Sequence, residues 1–240
     1  CSSDLETKTP LWIGEVWSVL GRNGVGKTTL LHTLAGLRDP LGGQIKLDGV
    51  ALNSLATKTR GQKVSILFQQ SQAPISTDAY DFVMSARHPW ISRWAGPTRD
   101  DQDIVVESLS QMGLDALMHR DVNSLSGGER RRVELAATVA QNAQTILLDE
   151  PVNHLDLHYQ INLLQGALTK WRAEGRAVVM VMHDLNLAIR FSDHLLCLCG
   201  DGSILQGETS AVATTENLST LLRYPLQALT LGDRSFFIPA

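Results

Sequence analysis

No apolar run in this chain approaches a membrane span. The longest, Ala177 to Met182 and Leu195 to Cys199, fall far short of the roughly 20 residues a spanning helix needs. A membrane, if one is involved, must come from a partner. The first residues lack both a basic region and an apolar stretch, so no secretory signal peptide is expected and the cytosol is the expected compartment. Charge of one sign is scarce too: 21 Lys and Arg against 25 Asp and Glu leave a net charge of −4, so no nucleic-acid partner is expected. Cysteine is limited to Cys1, Cys197 and Cys199, an odd number. Cys197 and Cys199 share one face of an apolar strand, but no Cys or His cluster completes a four-ligand metal site, and buried structural thiols are expected. Internal repeats, low-complexity tracts and long linkers are absent. The first residue is Cys rather than Met, which leaves the natural start of the chain open.

What is present suits one large α/β domain with a smaller lobe: 240 residues, 43% hydrophobic, enough to bury a full core. Val16 to Leu20 reads as a buried strand. Gln44 to Gly49 alternates apolar and polar residues, as an antiparallel strand would, and Lys63 to Phe68 is a further strand running into Gln69. Between Ser71 and Gln141 the pattern turns helical. Thr98 and Asp101 form a capping-box pair ahead of an apolar face of Ile104, Val105, Leu109 and Met112. Strands resume at Thr145 to Asp149, Ala177 to Met182 and His194 to Cys199, each separated by a helical stretch. That alternation implies a mainly parallel, covered sheet. Residues 1–70 and 142–240 are thus assigned to an α/β core with a mainly parallel sheet and an antiparallel β subdomain, and residues 71–141 to an inserted helical lobe.

The chemistry begins at Gly21-Arg22-Asn23-Gly24-Val25-Gly26-Lys27-Thr28, which fits G-x-x-x-x-G-K-[ST] between a strand and a helix marked by Leu30, Leu31, Leu34 and Leu37. Its glycines let backbone N–H groups turn on a polyphosphate, and the helix adds its positive end. Lys27 would reach the β- and γ-phosphates, Thr28 would take a Mg²⁺ position, and Thr29 would lie near the α-phosphate. Ile146-Leu147-Leu148-Asp149-Glu150 is an apolar strand ending in two carboxylates. Because successive strand residues diverge, Asp149 can serve Mg²⁺ while Glu150 faces an attacking water. Leu125-Ser126-Gly127-Gly128-Glu129 opens a helix-like run and offers a second anion site. Cations are slightly disfavoured at a helix start, so Arg130, Arg131 and Arg132 are read as solvated or inter-lobe groups rather than a phosphate clamp.

With these segments in this order, the chain resembles the nucleotide-binding subunit of an ABC transporter, from Gly14 to about Leu222; Leu-Ser-Gly-Gly is the most specific mark. The resemblance implies an ATPase that uses ATP and Mg²⁺ and works as a head-to-tail pair of copies. In it, each ATP lies between one phosphate loop and the partner copy's Ser126-Gly127-Gly128. It also implies integral membrane permease subunits, a substrate-binding protein, and residence at the cytoplasmic face of the membrane. Asn153-His154-Leu155-Asp156 matches the loop that passes between the two sites, with Asp156 its last member. His183 matches the switch histidine that touches the γ-phosphate. Gln69 matches the glutamine that reaches Mg²⁺ and water, with Gln70 and Gln72 as neighbouring alternatives. Arg22, Glu129 and Asn153-His154 depart from the commoner residues without removing a catalytic group.

Only twenty residues precede Gly21, so the aromatic platform that usually stacks on adenine is missing or displaced, and Trp12 suits a core strand better than that role. Arg87-His88-Pro89-Trp90 through Trp94 resembles a stretch of the importers of cobalamin, haem and ferric siderophores, and reads equally as a Pro-containing loop with packed aromatics. With no C-terminal regulatory extension in view, a metal-chelate importer is the expected setting.

Overall fold

The computed structural model describes residues 14–69, 76–92, 94–153, 155–232 and 234–240. Cys1, Trp12, Gln70, Gln72, Arg93 and His154 lie outside the described residues. In chain order the elements are β1 (Val16–Gly21), α1 (Lys27–Leu34), β2 (Lys46–Leu47), β3 (Val50–Ala51), α2 (Thr57–Lys63), β4 (Val64–Leu67), α3 (Ala79–Ser85), α4 (Arg99–Gln111) and α5 (Gly127–Ala140). The second half contains β5 (Thr145–Asp149), α6 (Leu157–Ala173), β6 (Ala177–Val181), α7 (Leu185–Phe191), β7 (His194–Leu198), β8 (Ile204–Glu208), α8 (Thr209–Val212), α9 (Thr215–Leu222), β9 (Leu226–Leu231) and β10 (Arg234–Pro239).

Six strands form one sheet in the order β4-β5-β6-β1-β7-β8, parallel throughout except for β8 at its edge. Both faces are covered, which is why the central strands read as unbroken apolar runs. Val16, Leu20, Ile146, Leu148, Val178 and Met180 point to one side, where α5, α6 and α7 pack through Val133, Leu164 and Ala188. Trp17, Val19, Leu147, Val179 and Val181 point to the other, against Leu31 and Ala35 of the α1 region. The expected parallel, covered sheet and separate antiparallel element are therefore present.

Local expectations were less accurate. Leu37 lies beyond the end of α1 and is 55% exposed, so the helical face stops a turn early. The alternation across 44–49 is not one strand. Asp48 and Gly49 both take positive φ (51° and 78°), the Asp-Gly turn that folds β2 back on β3. The β9–β10 ribbon at the C-terminal end carried no clear strand signal on its first arm.

The helices α3, α4 and α5 pack against one another, and α5 packs on β4. Thr98 caps α4 in a complete capping box with Asp101, and Val105 and Leu109 are buried as their spacing requires. The segment after α3 knits these helices to the sheet. Arg87 is buried and donates from Nε to Asp101 Oδ1 at 2.9 Å and from Nη1 to the Ala140 carbonyl at 2.9 Å. Pro89 packs so closely on Gly61 of α2 that a Cβ there would meet its Cγ at 2.9 Å. Gln62 Nε2 donates to the Pro89 carbonyl at 2.8 Å, and the Trp90 indole donates to the Gln141 carbonyl at 2.6 Å. Arg87 to Trp90 is thus structural, while Trp94 is 92% exposed. Truncating Arg87 leaves the Asp101 carboxylate buried without its cation. Arg87→Ala is therefore expected to lower unfolding free energy by about 3–5 kcal/mol, measured by denaturant titration. A loss below about 1 kcal/mol, the value of a surface pair, would contradict the pairing.

Candidate nucleotide site

Four neighbouring strands bring candidate site groups to one edge from their carboxyl ends: β1 leads into the phosphate loop, β4 into Gln69, β5 into Asp149 and Glu150, and β6 toward His183. That edge of an open α/β sheet is where ligands bind. An open cleft of about 300 Å³ lies there, lined by Asn23, Gly24, Gly26, Lys27, Thr28, Thr29, Gln69, Glu150 and His183. A smaller hollow of about 90 Å³ beside the β2–β3 hairpin, lined in part by Arg38, Asn53 and Arg60, contains none of these groups.

The loop is shaped for anions. Gly24 and Gly26 take φ of 78° and 110°, a region that side chains rarely adopt, and a Cβ at either would meet nothing within 4 Å. Their need is conformational. Gly21 differs: a Cβ there would meet the Leu198 carbonyl at 2.8 Å and Val25 Cγ1 at 2.9 Å, so it permits close packing of loop on strand. Lys27 caps this arrangement from inside, Nζ donating to the Gly21 carbonyl at 2.7 Å and the Arg22 carbonyl at 3.1 Å. Burial pulls its pKa below the ordinary lysine value, and Glu150 and Asp149 pull the other way.

Asp149 ends β5 fully buried, with neither carboxylate oxygen hydrogen-bonded within the described residues. Burial raises its pKa, opposed by the adjacent Thr28 hydroxyl. An orphaned buried carboxylate beside a hydroxyl is a donor set suited to a hard cation. Glu150 sits next to it but outside the strand, at φ 51°, a left-handed conformation costly for a residue with a Cβ. The divergence of the two carboxylates therefore comes from this turn, not from strand alternation as the sequence suggested.

The Glu150 side chain is held on both oxygens. Oε1 accepts from Gln69 Nε2 at 2.9 Å and pairs with His183 Nε2 at 2.5 Å, while Oε2 accepts from Asn153 Nδ2. Asn153 is a contact that sequence reasoning passed over as a tolerable variant. The signal was its distance of three residues from Glu150, within reach once the chain turns.

Other predicted residues stand apart from this cleft. Ser126 N-caps α5 in a capping box: its N–H and Oγ donate to Glu129 Oε2 at 2.8 and 2.7 Å. The Ser126 hydroxyl and N–H hold the exposed Glu129 carboxyl below its ordinary pKa, which accounts for an acid at this position. Gly127 and Gly128 form the first turn of α5, and Asp156 N-caps α6 by accepting from the Tyr159 N–H at 3.0 Å. Ser126, Gly127, Gly128 and Asp156 do not line the cleft, nor does Val25.

Of the two roles open to the arginine run, Arg131 takes the inter-lobe one: it is 4% exposed and bridges α5 to the ends of β4 and β5. Arg132 donates to the Met112 and Gly113 carbonyls and lies 4.9 Å over the Tyr159 ring. Of the expected buried thiols, Cys197 is buried, which pushes its pKa up to about 12, while Cys199 is half-buried.

A phosphate loop ahead of Lys27 and Thr28, with two carboxylates on the adjoining strand, defines a phosphate-loop nucleoside triphosphatase. Comparison with known proteins narrows the class. Residues 7–153 match the ABC transporter family. The petrobactin import ATP-binding protein FpuD of Bacillus anthracis is 36% identical over 220 residues, covering 90% of this chain and 80% of that protein. A solved chain of a metal-chelate type ABC transporter, in an inward-facing conformation, aligns with a TM-score of 0.81 at 29% identity, covering 95% of this chain and 87% of its own. The ATP-binding cassette MJ0796, a dimer in a post-hydrolysis state bound to ADP and Pi, aligns with a TM-score of 0.75 at 29% identity, covering 84% and 88%. The chain belongs to the ABC transporter family. It is an ATP-binding subunit that hydrolyses ATP to power transport.

Proposed function

We propose that this subunit powers import of a metal chelate such as cobalamin, haem or a ferric siderophore. In this reading it is attached to integral permease subunits at the cytoplasmic face of a membrane, and a substrate-binding protein delivers the solute. Support comes from the petrobactin-import role of FpuD and from the metal-chelate class of the structural neighbour. No helix among the described residues is long and apolar enough to cross a membrane, which agrees with a permease made by other chains.

The observation that carries the enzymatic reading is the joining of Lys27, Thr28, Gln69, Glu150 and His183 in one cleft. Loop N–H groups and Lys27 bind the β- and γ-phosphates of ATP. Thr28, Asp149 and Gln69 would hold Mg²⁺, for which the unpartnered Asp149 oxygens are the structural argument. When bound, Mg²⁺ neutralises charge on the phosphate oxygens. Glu150 takes the proton side of the attacking water, and His183 holds the Glu150 oxygen and meets the γ-phosphate. Ser126, Gly127, Gly128 and Asp156 act on the nucleotide of a second, head-to-tail copy, which fits their absence from the cleft of their own copy. The dimeric state of the MJ0796 cassette supports that geometry.

Deleting the gene and measuring uptake of labelled cobalamin, haem and ferric siderophores tests the substrate class. Loss of one of the three is expected. Unchanged uptake of all three with loss of another solute would remove the metal-chelate claim and leave the ATPase untouched.

A further inference from the structure

We propose that Arg131 is a positioning residue for ATP hydrolysis, setting Gln69 and Glu150 together through their backbones; the proposal rests on reading Glu150 as the group that polarises water. An arginine side chain has five N–H donors. At Arg131 all five are matched. Nη2 donates to the Asp149 carbonyl at 2.6 Å and the Glu150 carbonyl at 2.8 Å. Nη1 donates to the Phe68 carbonyl at 2.7 Å and to Glu134 Oε2 at 2.9 Å, and Nε reaches the Pro151 carbonyl at 3.4 Å.

The chemistry of those acceptors is what matters. Phe68 immediately precedes Gln69, and its carbonyl fixes the peptide from which the Gln69 side chain departs. Asp149 and Glu150 flank the left-handed turn that lifts Glu150 out of β5. Two carbonyls on consecutive residues, gripped by one planar nitrogen, hold that turn against relaxing to an ordinary φ. The turn itself is strained, so something must over-determine it. The guanidinium is nearly inaccessible to solvent, and Glu134 on the same helix supplies its counter-charge at 2.9 Å. Its fork is rigid, so the Gln69 and Glu150 backbones are held at a fixed separation from each other.

Arg131 also starts from the first turns of α5, five residues after Ser126. A rigid-body shift of α5 relative to the sheet would therefore move Gln69 and Glu150 in concert. The one residue joins the helix that presents Ser126 and Gly127 to the strand ends that present the catalytic groups. Loop and turn are then one mechanical unit.

The test uses Arg131→Lys and Gln69→Ala, alone and combined, in the full chain. Lysine keeps the charge and the Glu134 pair but has three donors on a single nitrogen, too few and too close together for these acceptors. We expect Arg131→Lys to unfold cooperatively, to keep KM for ATP within about twofold, and to lose about 10- to 100-fold in kcat, the scale of a misplaced catalytic group. The double variant should be slower than Arg131→Lys alone by less than about threefold, because both changes disturb the same unit. Three results would overturn the proposal: an unchanged kcat, a fall in kcat matched by a rise in KM and loss of cooperative unfolding, or fully multiplicative effects. Glu150→Gln, run alongside, separates the failures. If it retains turnover, the reading of Glu150 is at fault; if it is inactive while Arg131→Lys is normal, only the role of Arg131 falls.

Discussion

Glu150→Gln should bind ATP normally and hydrolyse it about 10²–10⁴-fold more slowly, the range associated with removal of a general base. ATP contacts from the loop and Lys27 are untouched, because Lys27 is held by the Gly21 and Arg22 carbonyls rather than by Glu150. The amide also fits its surroundings poorly. Glu150 accepts from Gln69 on one oxygen and from Asn153 on the other, so an NH₂ on either side turns a donor toward a donor. ATP-dependent dimers should accumulate on size-exclusion chromatography when hydrolysis no longer dissolves them. Steady-state phosphate release is the deciding measurement, and turnover near the parent rate would remove Glu150 from the mechanism.

A second large effect is expected at Gly127. A Cβ built there meets nothing within 4 Å, and its backbone lies outside the left-handed region, so Gly127→Val should leave the isolated subunit folded and able to bind ATP. If the residue works against a nucleotide held by another copy, added bulk falls on that nucleotide, and hydrolysis should drop by about 10²-fold or more. Mixing gives the sharper check. Gly127→Val and Lys27→Ala subunits combined should form heterodimers with one intact composite site and one doubly damaged site, and partial activity should return. A Gly127→Val subunit that loses ATP affinity as a monomer, as severely as Lys27→Ala, would rule out action across the dimer.

The sequence was most readable where a functional residue ends a buried apolar strand. Asp149 closes such a run, Gln69, Glu150 and His183 each follow one within two residues, and a strand both of whose faces are covered has few alternatives. Short-range turns were harder. The Asp48-Gly49 reversal hid inside an alternation that a single strand would also produce, and Leu37 continued a helical period past the helix end. For Arg131 the sequence left a solvated and an inter-lobe role open, because a run of three arginines suits either. Its period separates them: Leu135 and Val139 follow it by four and eight residues on the inner face of α5, and both are buried. Asn153 depended on the left-handed conformation of Glu150, a backbone choice that side-chain chemistry does not announce.

The β9–β10 ribbon bears on the order in which parts of the molecule become available during synthesis. Asn186 of α7 donates from Nδ2 to the Phe237 carbonyl at 3.1 Å and accepts the Phe237 N–H at 2.9 Å, three residues along from His183. Synthesis proceeds toward the carboxyl end, so every nucleotide motif has left the ribosome before residue 237 exists. Until then the Asn186 amide has no backbone partner, and the helix beginning beside His183 is unanchored at that point. A nascent chain that has not yet reached β10 would thus already hold Lys27 and Thr28, while the helix that opens two residues beyond His183 still lacked its Phe237 anchor.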